Sequence, residues 1–384
     1  MKSVKLKEIV LIFAFVFIIA VQGFAQQAPE GLEFEIVDGK SVTIKGYTGN
    51  ASTIDIPERI QGLPVTVIED WAFNGYSHLT SITIPPSVTS IGSYAFSFCD
   101  SLVSITIPPS VTSIGNAAFM GCNSLTSITV DSRNTAYASL DGVLFDKTIR
   151  TIIIYPPGKN TSTYIVPSSV TSIGDRAFFR CDSLTSMSIP SHVTSIGDGA
   201  FAGCRSLASI TVDSRNPAYT SIDDVLFDKA IRTIIAYPVG KDSRTYTIPS
   251  SITTIGEQAF SYCENLTDIT IPPSVTSIGN GAFSFCYVLA SINIPSSITT
   301  IRDETFACCY SLTSISIPSS ITSIGDGAFY NCSNLTSIDI PSSVTSIGNG
   351  AFYRCYNLRS ITLSRRTRVS EDSFYDSVEL KYRD

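Results

Sequence analysis

The sequence predicts a mainly β solenoid with short helical turns. The expected shape is a right-handed stack of 23-residue coils with a β-hairpin at its N-terminal end. Three observations predict it. Phenylalanine recurs at Phe73, Phe96, Phe119, Phe178, Phe201, Phe260, Phe283, Phe306, Phe329 and Phe352, in steps of 23 broken twice by a step of 59, with a weaker copy at Phe374. Each step carries the unit L-x-x-I-x-I-P-x-S-V-T-S-I-G-x-x-A-F-x-x-C, as in "SLTSISIPSSITSIGDGAFYNC" from Ser311 to Cys332. Nine of the ten cysteines hold one place in that unit.

The spacing within one unit justifies each element in order. Leu102, Ile105 and Ile107 alternate with Ser104 and Thr106, the period of a strand with one apolar face. Pro108 ends the strand because it has no N–H to give a central ladder. Val111 and Ile114 return the chain across the core, and Gly115 permits a turn. Ala118 and Phe119 enter the core on a turn read as short and helical, and Cys122 and Leu125 close the coil. A single coil cannot bury its own apolar side, so stability comes from stacking on neighbours. The fixed period with L-x-x-I-x-I is a leucine-rich-repeat signature.

Both steps of 59 contain a variant unit, "DSRNTAYASLDGVLFDKTIRTIIIYPPGK" from Asp131 and "DSRNPAYTSIDDVLFDKAIRTIIAYPVGK" from Asp213. "GVLFD" and "TIIIYP" read as paired strands joined at Lys147–Arg150, with no Phe–Cys half. Ile149, Ile152 and Ile154 fit L-x-x-I-x-I and are expected to continue the stack. The organisation predicted is a signal peptide over 1–25, an N-terminal β cap over 26–66, a solenoid over 67–363 with variant units at 131–166 and 213–248, and a C-terminal capping coil over 364–384. "FEIVDGKSVTIKGY" in the cap reads as a hairpin turning at Asp38-Gly39.

Charge and leader narrow the function. Lys2, Lys5 and Lys7 precede an apolar run from Ile9 to Val21, and Gly23 and Ala25 place small residues before a cut after Ala25. The run has 13 residues, fewer than the roughly 20 a bilayer span needs, so no membrane insertion is expected after cleavage. The chain carries −7; losing Lys2, Lys5, Lys7 and Glu8 with the leader leaves 23 basic against 32 acidic residues, a net −9. An acidic chain without a Lys/Arg cluster speaks against a nucleic-acid partner.

These residues resemble the BspA-like leucine-rich repeat family. The resemblance rests on the 23-residue unit, on "DGVLFDK…YPPGK", and on "IKGYTGNASTIDIPERIQGLPVTVIEDWAF" at the start. It covers roughly residues 34–375 and implies an exported or surface-associated protein that adheres to host proteins or other cells. No catalytic residue set comes with it. The sequence departs from the pattern at Arg302 in place of the turn glycine, Thr305 in place of Ala, and Tyr76 in place of Cys.

The residues that invite chemistry are few. Cys99, Cys122, Cys181, Cys204, Cys263, Cys286, Cys309, Cys332 and Cys355 read as buried thiols, with pairing between neighbours or a metal ladder as the alternatives. Cys308 lies off that ladder and is the candidate exposed, reactive thiol. His78 and His192 have no nucleophile or carboxylate at a useful spacing, and no hydrolase, zincin, P-loop or dinucleotide motif is present. Asp131, Asn134, Asp141 and Asp146 recur as Asp213, Asn216, Asp223, Asp224 and Asp228; turn formation or calcium binding are the two readings, and turns explain them more simply. No catalytic, cofactor or metal site is assigned. Rows of Ser and Thr on the strands make a hydroxyl face poor in the Trp, Tyr and Arg that dominate binding energy. Aromatics gather beside the Phe–Cys turn instead: Phe98, Phe179, Tyr262, Phe285, Tyr287, Tyr310, Tyr330, Tyr353 and Tyr356, joined by Tyr137 and Tyr219 of the variant units. They are the candidate partner-binding residues, unless they serve to shield the turn. The expected function is a non-enzymatic, adhesin-like scaffold for a protein or glycan on another cell, the alternative being a surface-spacing protein without a ligand.

Overall fold

The structure is a computed structural model and describes residues 28–375 and 378–383. The signal-peptide expectation for residues 1–25 lies outside them, as do three residues of the expected C-terminal coil. The chain forms an all-β solenoid of about 15 turns with spacing near 23 residues. Each regular coil gives one strand to a front ladder and one to a back ladder. At the front, Ser104–Ile107 and Ser127–Val130 run parallel and in register, with Ile105 beside Ile128. At the back, Ser90–Ile91 pairs with Ser113–Ile114 in the same way. In-register pairing puts identical side chains above one another, so the apolar positions merge into rows. Phe73, Phe96 and Phe119 stack with centroids 5.3 and 5.4 Å apart and ring planes 2° from parallel. The N-terminal hairpin, Leu32–Val37 against Ser41–Tyr47, joins the end of the back ladder and turns at Asp38 and Gly39, both with positive φ.

The Phe–Cys turn is not helical, and no helix occurs among the described residues. Its N–H groups are divided between two directions. Phe96 and Phe98 donate to the carbonyls of Ala118 and Met120 in the next coil, each at 2.8 Å. Between them, Ser97 and Cys99 bond back to Tyr94 and Phe96 at 3.1 and 3.3 Å. An α-helix would need every one of those donors within the segment. The residues two before and two after the Phe are left-handed in every regular coil, for example Tyr94 at 55° and Phe98 at 57°, which bends the turn round the ring.

The variant units pair as expected. Val143–Asp146 is antiparallel to both Tyr137–Leu140 and Thr151–Ile154. Val143, Leu144 and Phe145 are all buried, because this strand divides two cores: Leu144 packs into the block before it and Val143 and Phe145 into the block after. Leu226, between Val225 and Phe227, does the same at the second unit. The apolar core is thus three blocks in series. One expectation needs correction. Ile152 does not sit in an I-x-I front strand; it pairs with Ile173 on the back ladder. Three residues on, Tyr155 takes the Phe place, stacked 5.1 Å from Phe178, and Tyr237 stacks 5.2 Å from Phe260.

Candidate functional site

Nine of the eleven aromatic candidates occupy three places on the Phe–Cys edge, and their neighbours decide their exposure. Phe179 and Tyr262 are buried at 6 %, packed with Ala202 in a small cluster outside the main core. Phe98 and Phe285 are half-buried, the latter stacked 4.4 Å from Tyr262. Tyr137 and Tyr219 are half-buried too, and their hydroxyls accept from the N–H groups of Ile114 and Ile196 at 2.9 and 2.8 Å. Each stands where the back ladder stops, so a phenol oxygen replaces the carbonyl of the missing strand.

The C-terminal coils assemble the remaining tyrosines. Tyr287 stacks on Tyr310 at 5.0 Å, and Tyr330 on Tyr353 at 6.2 Å. Asn331 donates its side-chain amide to the Tyr310 hydroxyl at 3.4 Å, and the Arg354 guanidinium lies 5.7 Å over the Tyr330 ring. Tyr375, which the sequence reading missed, packs edge-on against Tyr353 and Tyr356 at 5.9 and 5.3 Å. Its signal was present: it follows the weak last Phe as Tyr353 follows Phe352. Tyr310, Tyr353, Tyr356 and Tyr375 are 36–47 % exposed, in contrast to the buried pair above. A second missed pair lies at the other end, where Trp71, 55 % exposed, stacks on Tyr94 at 4.2 Å.

Cysteine chemistry is turned inward. All ten thiols are free and buried. In most coils of the ladder the thiol donates to the Phe carbonyl of the preceding coil, as from Cys122 to Phe96 at 3.0 Å and from Cys332 to Phe306 at 3.1 Å. In the first coil the Tyr76 hydroxyl takes that part, donating to Gly49 O at 2.5 Å. Burial pushes the Cys99 and Cys355 thiols up to about 12. Cys308 is not the exposed thiol expected. It is buried, Asn331 donates to its sulfur at 3.8 Å, and burial raises its pKa, so it lacks thiolate character.

The acidic and amide groups of the variant units form turns. Buried Asn134 donates to the carbonyls of Pro108 and Val111 at 2.7 and 2.9 Å and accepts from Ala136 and Tyr137 at 2.9 and 2.8 Å, which uses its full capacity. Asp131 holds Arg133 through both oxygens, and that partner lowers its carboxyl to about 2. Asp146 accepts from the N–H groups of Arg150 and Thr151. No group of three or more potential ligands is placed to hold a metal ion among the described residues. His192 is half-buried with Nε2 3.2 Å from Pro167 O, and the ring of His78 rests 4.5 Å from that of Tyr76. No helix among the described residues is long and apolar enough to cross a membrane.

No curated protein matches the chain. Among solved structures, a leucine-rich cell surface protein from Faecalibacterium prausnitzii A2-165 is 35 % identical, with a TM-score of 0.51 over 90 % of this chain and 95 % of that one. The pneumococcal vaccine antigen PcpA is 19 % identical, with a TM-score of 0.52 over 93 % of each chain, a likeness of fold alone. The model of the BspA type leucine rich repeat region matches residues 46–158, 157–238 and 253–381, in six copies. The repeat, the stacked coils and this match agree, and the chain belongs to the BspA-type leucine-rich repeat family.

Proposed function

We propose that this protein is an exported, non-enzymatic, adhesin-like scaffold. It holds a protein or glycan of a host or neighbouring cell through the tyrosine edge of its C-terminal coils. The observation that carries the reading is the exposed cluster of Tyr353, Tyr356 and Tyr375, with exposed Tyr310 two coils before it on the same edge. The core does not need these rings, and contiguous exposed aromatics are costly to keep in water without a partner. Tyrosine presents a large flat apolar face with a hydroxyl at its end, which suits both a protein surface and the face of a sugar ring. Many copies of the scaffold on one surface would turn weak contacts into firm attachment. Export rests on the leader over residues 1–25 and is in keeping with the cell-surface neighbour.

The test is capture of intact cells and matrix by the immobilised mature chain, against a variant with Tyr310→Ser, Tyr353→Ser and Tyr356→Ser. Capture is expected to fall at least about tenfold with melting unchanged, since losing two or three aromatic anchors commonly removes more than 1.4 kcal/mol. Equal capture by the variant would take the tyrosine edge out of the mechanism. A parent chain that captures nothing would favour a surface-spacing role.

A further inference from the structure

The first variant unit leaves an open cleft in the stack, and the cleft is lined by backbone donors without acceptors. Wherever a regular coil follows, three alternate N–H groups of the Phe turn donate to three alternate carbonyls of that next coil. Glu304, Phe306 and Cys308, for example, donate to Asp326, Ala328 and Tyr330 at 2.8, 2.8 and 2.7 Å. The turn around Phe119 has no such successor. Its own carbonyls, of Asn116, Ala118 and Met120, accept from the coil before. The N–H groups of Ala117, Phe119 and Gly121 meet no acceptor among the described residues. The reason is local. After Tyr155 come Pro156 and Pro157, and then Gly158, whose N–H reaches back to Leu125 O at 2.8 Å. The chain thus takes a short path that bypasses the place where a Phe–Cys turn would lie.

What remains is a cleft of about 330 Å³ between the Asn116–Met120 turn and the Ile153–Pro157 segment, with Arg176 and Phe179 at its edge. The second variant unit repeats the arrangement: Gly199, Phe201 and Gly203 also lack acceptors for their N–H groups among the described residues. That copy is closed over its turn, although about 320 Å³ stays open beside it, between residues 196–198 and 233–235. Gln258, Ser261 and their neighbours leave about 10 Å³ over the turn, room for one water at most. The side chain of Tyr262 reaches within 3.4 Å of where a Gly203 Cβ would stand. Only the first cleft is open over the Phe turn itself.

We propose that this cleft binds an extended peptide segment of a partner protein. Main-chain carbonyls at alternate residues would meet the N–H groups of Ala117 and Phe119, which line it, and one apolar side chain would lie against Tyr155 and Ile153. The spacing is the argument: the row of donors is the one that takes a polypeptide backbone in every regular coil, and carbonyls on one side of an extended chain recur every second residue. A glycan or a lone anion offers no such series. The inference builds on the binding-scaffold reading and names a peptide as what the scaffold takes, at a place separate from the tyrosine edge.

The probe is the capped hexapeptide Asp-Gly-Ala-Phe-Tyr-Asn, the sequence of residues 326–331, which fills the equivalent place in a regular coil. Amide exchange of the full mature chain is followed with and without peptide at about 1 mM, enough to load a weak site. Exchange at residues 117 and 119 is expected to slow at least about fivefold, with residues 199 and 201 unaffected, since only N–H groups in an open cleft gain a partner. Replacing the Ala–Phe amide of the peptide by an alkene removes the carbonyl aimed at Phe119 without altering the protein, and should weaken binding about fivefold. Ile153→Trp fills the cleft and should abolish the protection. No slowing at 117 and 119, slowing that the alkene peptide reproduces, or protection by acetate or a sulfated sugar in place of peptide would overturn the proposal. The outcomes separate from those of the tyrosine edge. No peptide protection in a chain whose cell capture still depends on the tyrosines sinks the cleft alone, and peptide binding by a chain that captures no cell sinks the adhesin reading alone.

Discussion

At the scale of single residues, the Phe turn asks for two left-handed positions, and the chain supplies glycine at only some of them. Two residues before the Phe stand Gly199, Gly281, Gly327 and Gly350, but also Trp71, Gln258 and Glu304 at 64°, 54° and 55°. A side chain in this conformation brings Cβ against the following carbonyl, at a cost of about 1–2 kcal/mol. Tyr262, at 66°, offsets its strain by packing with Phe179 and Ala202. Exposed Glu304 makes no side-chain bond among the described residues that would do so. Glu304→Gly should therefore be more stable than Glu304→Ala by about 1 kcal/mol, and Gly327→Ala, where a Cβ has space, should cost about the same. Equal stability of the two Glu304 variants in denaturant melts would mean the left-handed turn stores no strain. Part of this was legible. The Phe period fixed the coil, but Ala-Phe-x-x-Cys read as a helical turn because i, i+3 spacing suits both geometries. The glycines at 121, 203, 281 and 327 marked the left-handed places only once the turn was seen.

At the scale of elements, one substitution breaks a ladder. The glycine after the back strand approaches the preceding coil so closely that a Cβ at Gly279 would lie 2.5 Å from Glu257 N, and one at Gly325 2.4 Å from Asp303 Oδ1. Arg302 occupies this place in one coil, and there the back ladder stops. It ends at Ser277–Ile278 and resumes at Thr300–Ile301 without pairing the two. The bond from this N–H to the preceding coil, 2.9 Å from Gly279 to Ile255, has no counterpart from Arg302 to Ile278. Arg302→Gly should restore it, slowing amide exchange at 302 by about tenfold; the bond's roughly 1 kcal/mol exceeds or matches the entropy glycine adds to the unfolded chain. Exchange that stays fast would show that something other than the Arg302 Cβ holds the coils apart. The sequence marked Arg302 as a departure and gave the antiparallel strands of the variant units. It did not place Tyr155 and Tyr237 in the Phe row, although each lies 23 residues before the next Phe, because neither is followed by the cysteine that anchors the pattern. Exposure along the aromatic edge was not legible at all. Tyr262 and Phe285 share one place in the unit, and only the gap left by the second variant coil buries the first.

At the scale of the whole molecule, the buried thiols make stability depend on pH in a calculable direction. Burial raises the pKa of Cys99, Cys122, Cys181, Cys263, Cys308, Cys309, Cys332 and Cys355, with Cys99 and Cys355 at about 12. The unfolded chain ionises its thiols near pH 8.5, whereas the fold keeps them protonated. Below that pH both states hold the proton and the contribution is fully present. Above it the folded state binds more protons, so stability falls as pH rises until the buried thiols themselves ionise. Each thiol that stays protonated in the fold while the unfolded chain ionises removes about 1 kcal/mol per pH unit, and the eight act in the same direction. The load is uneven. Cys263, Cys309, Cys332 and Cys355 lie in the block from Val225 to Leu363, whereas the N-terminal block holds Cys99 and Cys122. A stack of neighbours need not unfold as one unit, so the C-terminal block should lose amide protection first between pH 8.5 and 10, before tyrosine ionisation adds to the effect. Cys309→Ala with Cys332→Ala should lower stability at pH 7 yet flatten the slope, since two of the thiols that steepen it are gone. A stability curve level from pH 8 to 10, or a slope indifferent to those two residues, would mean that the thiols are not sealed in the core as this fold has them.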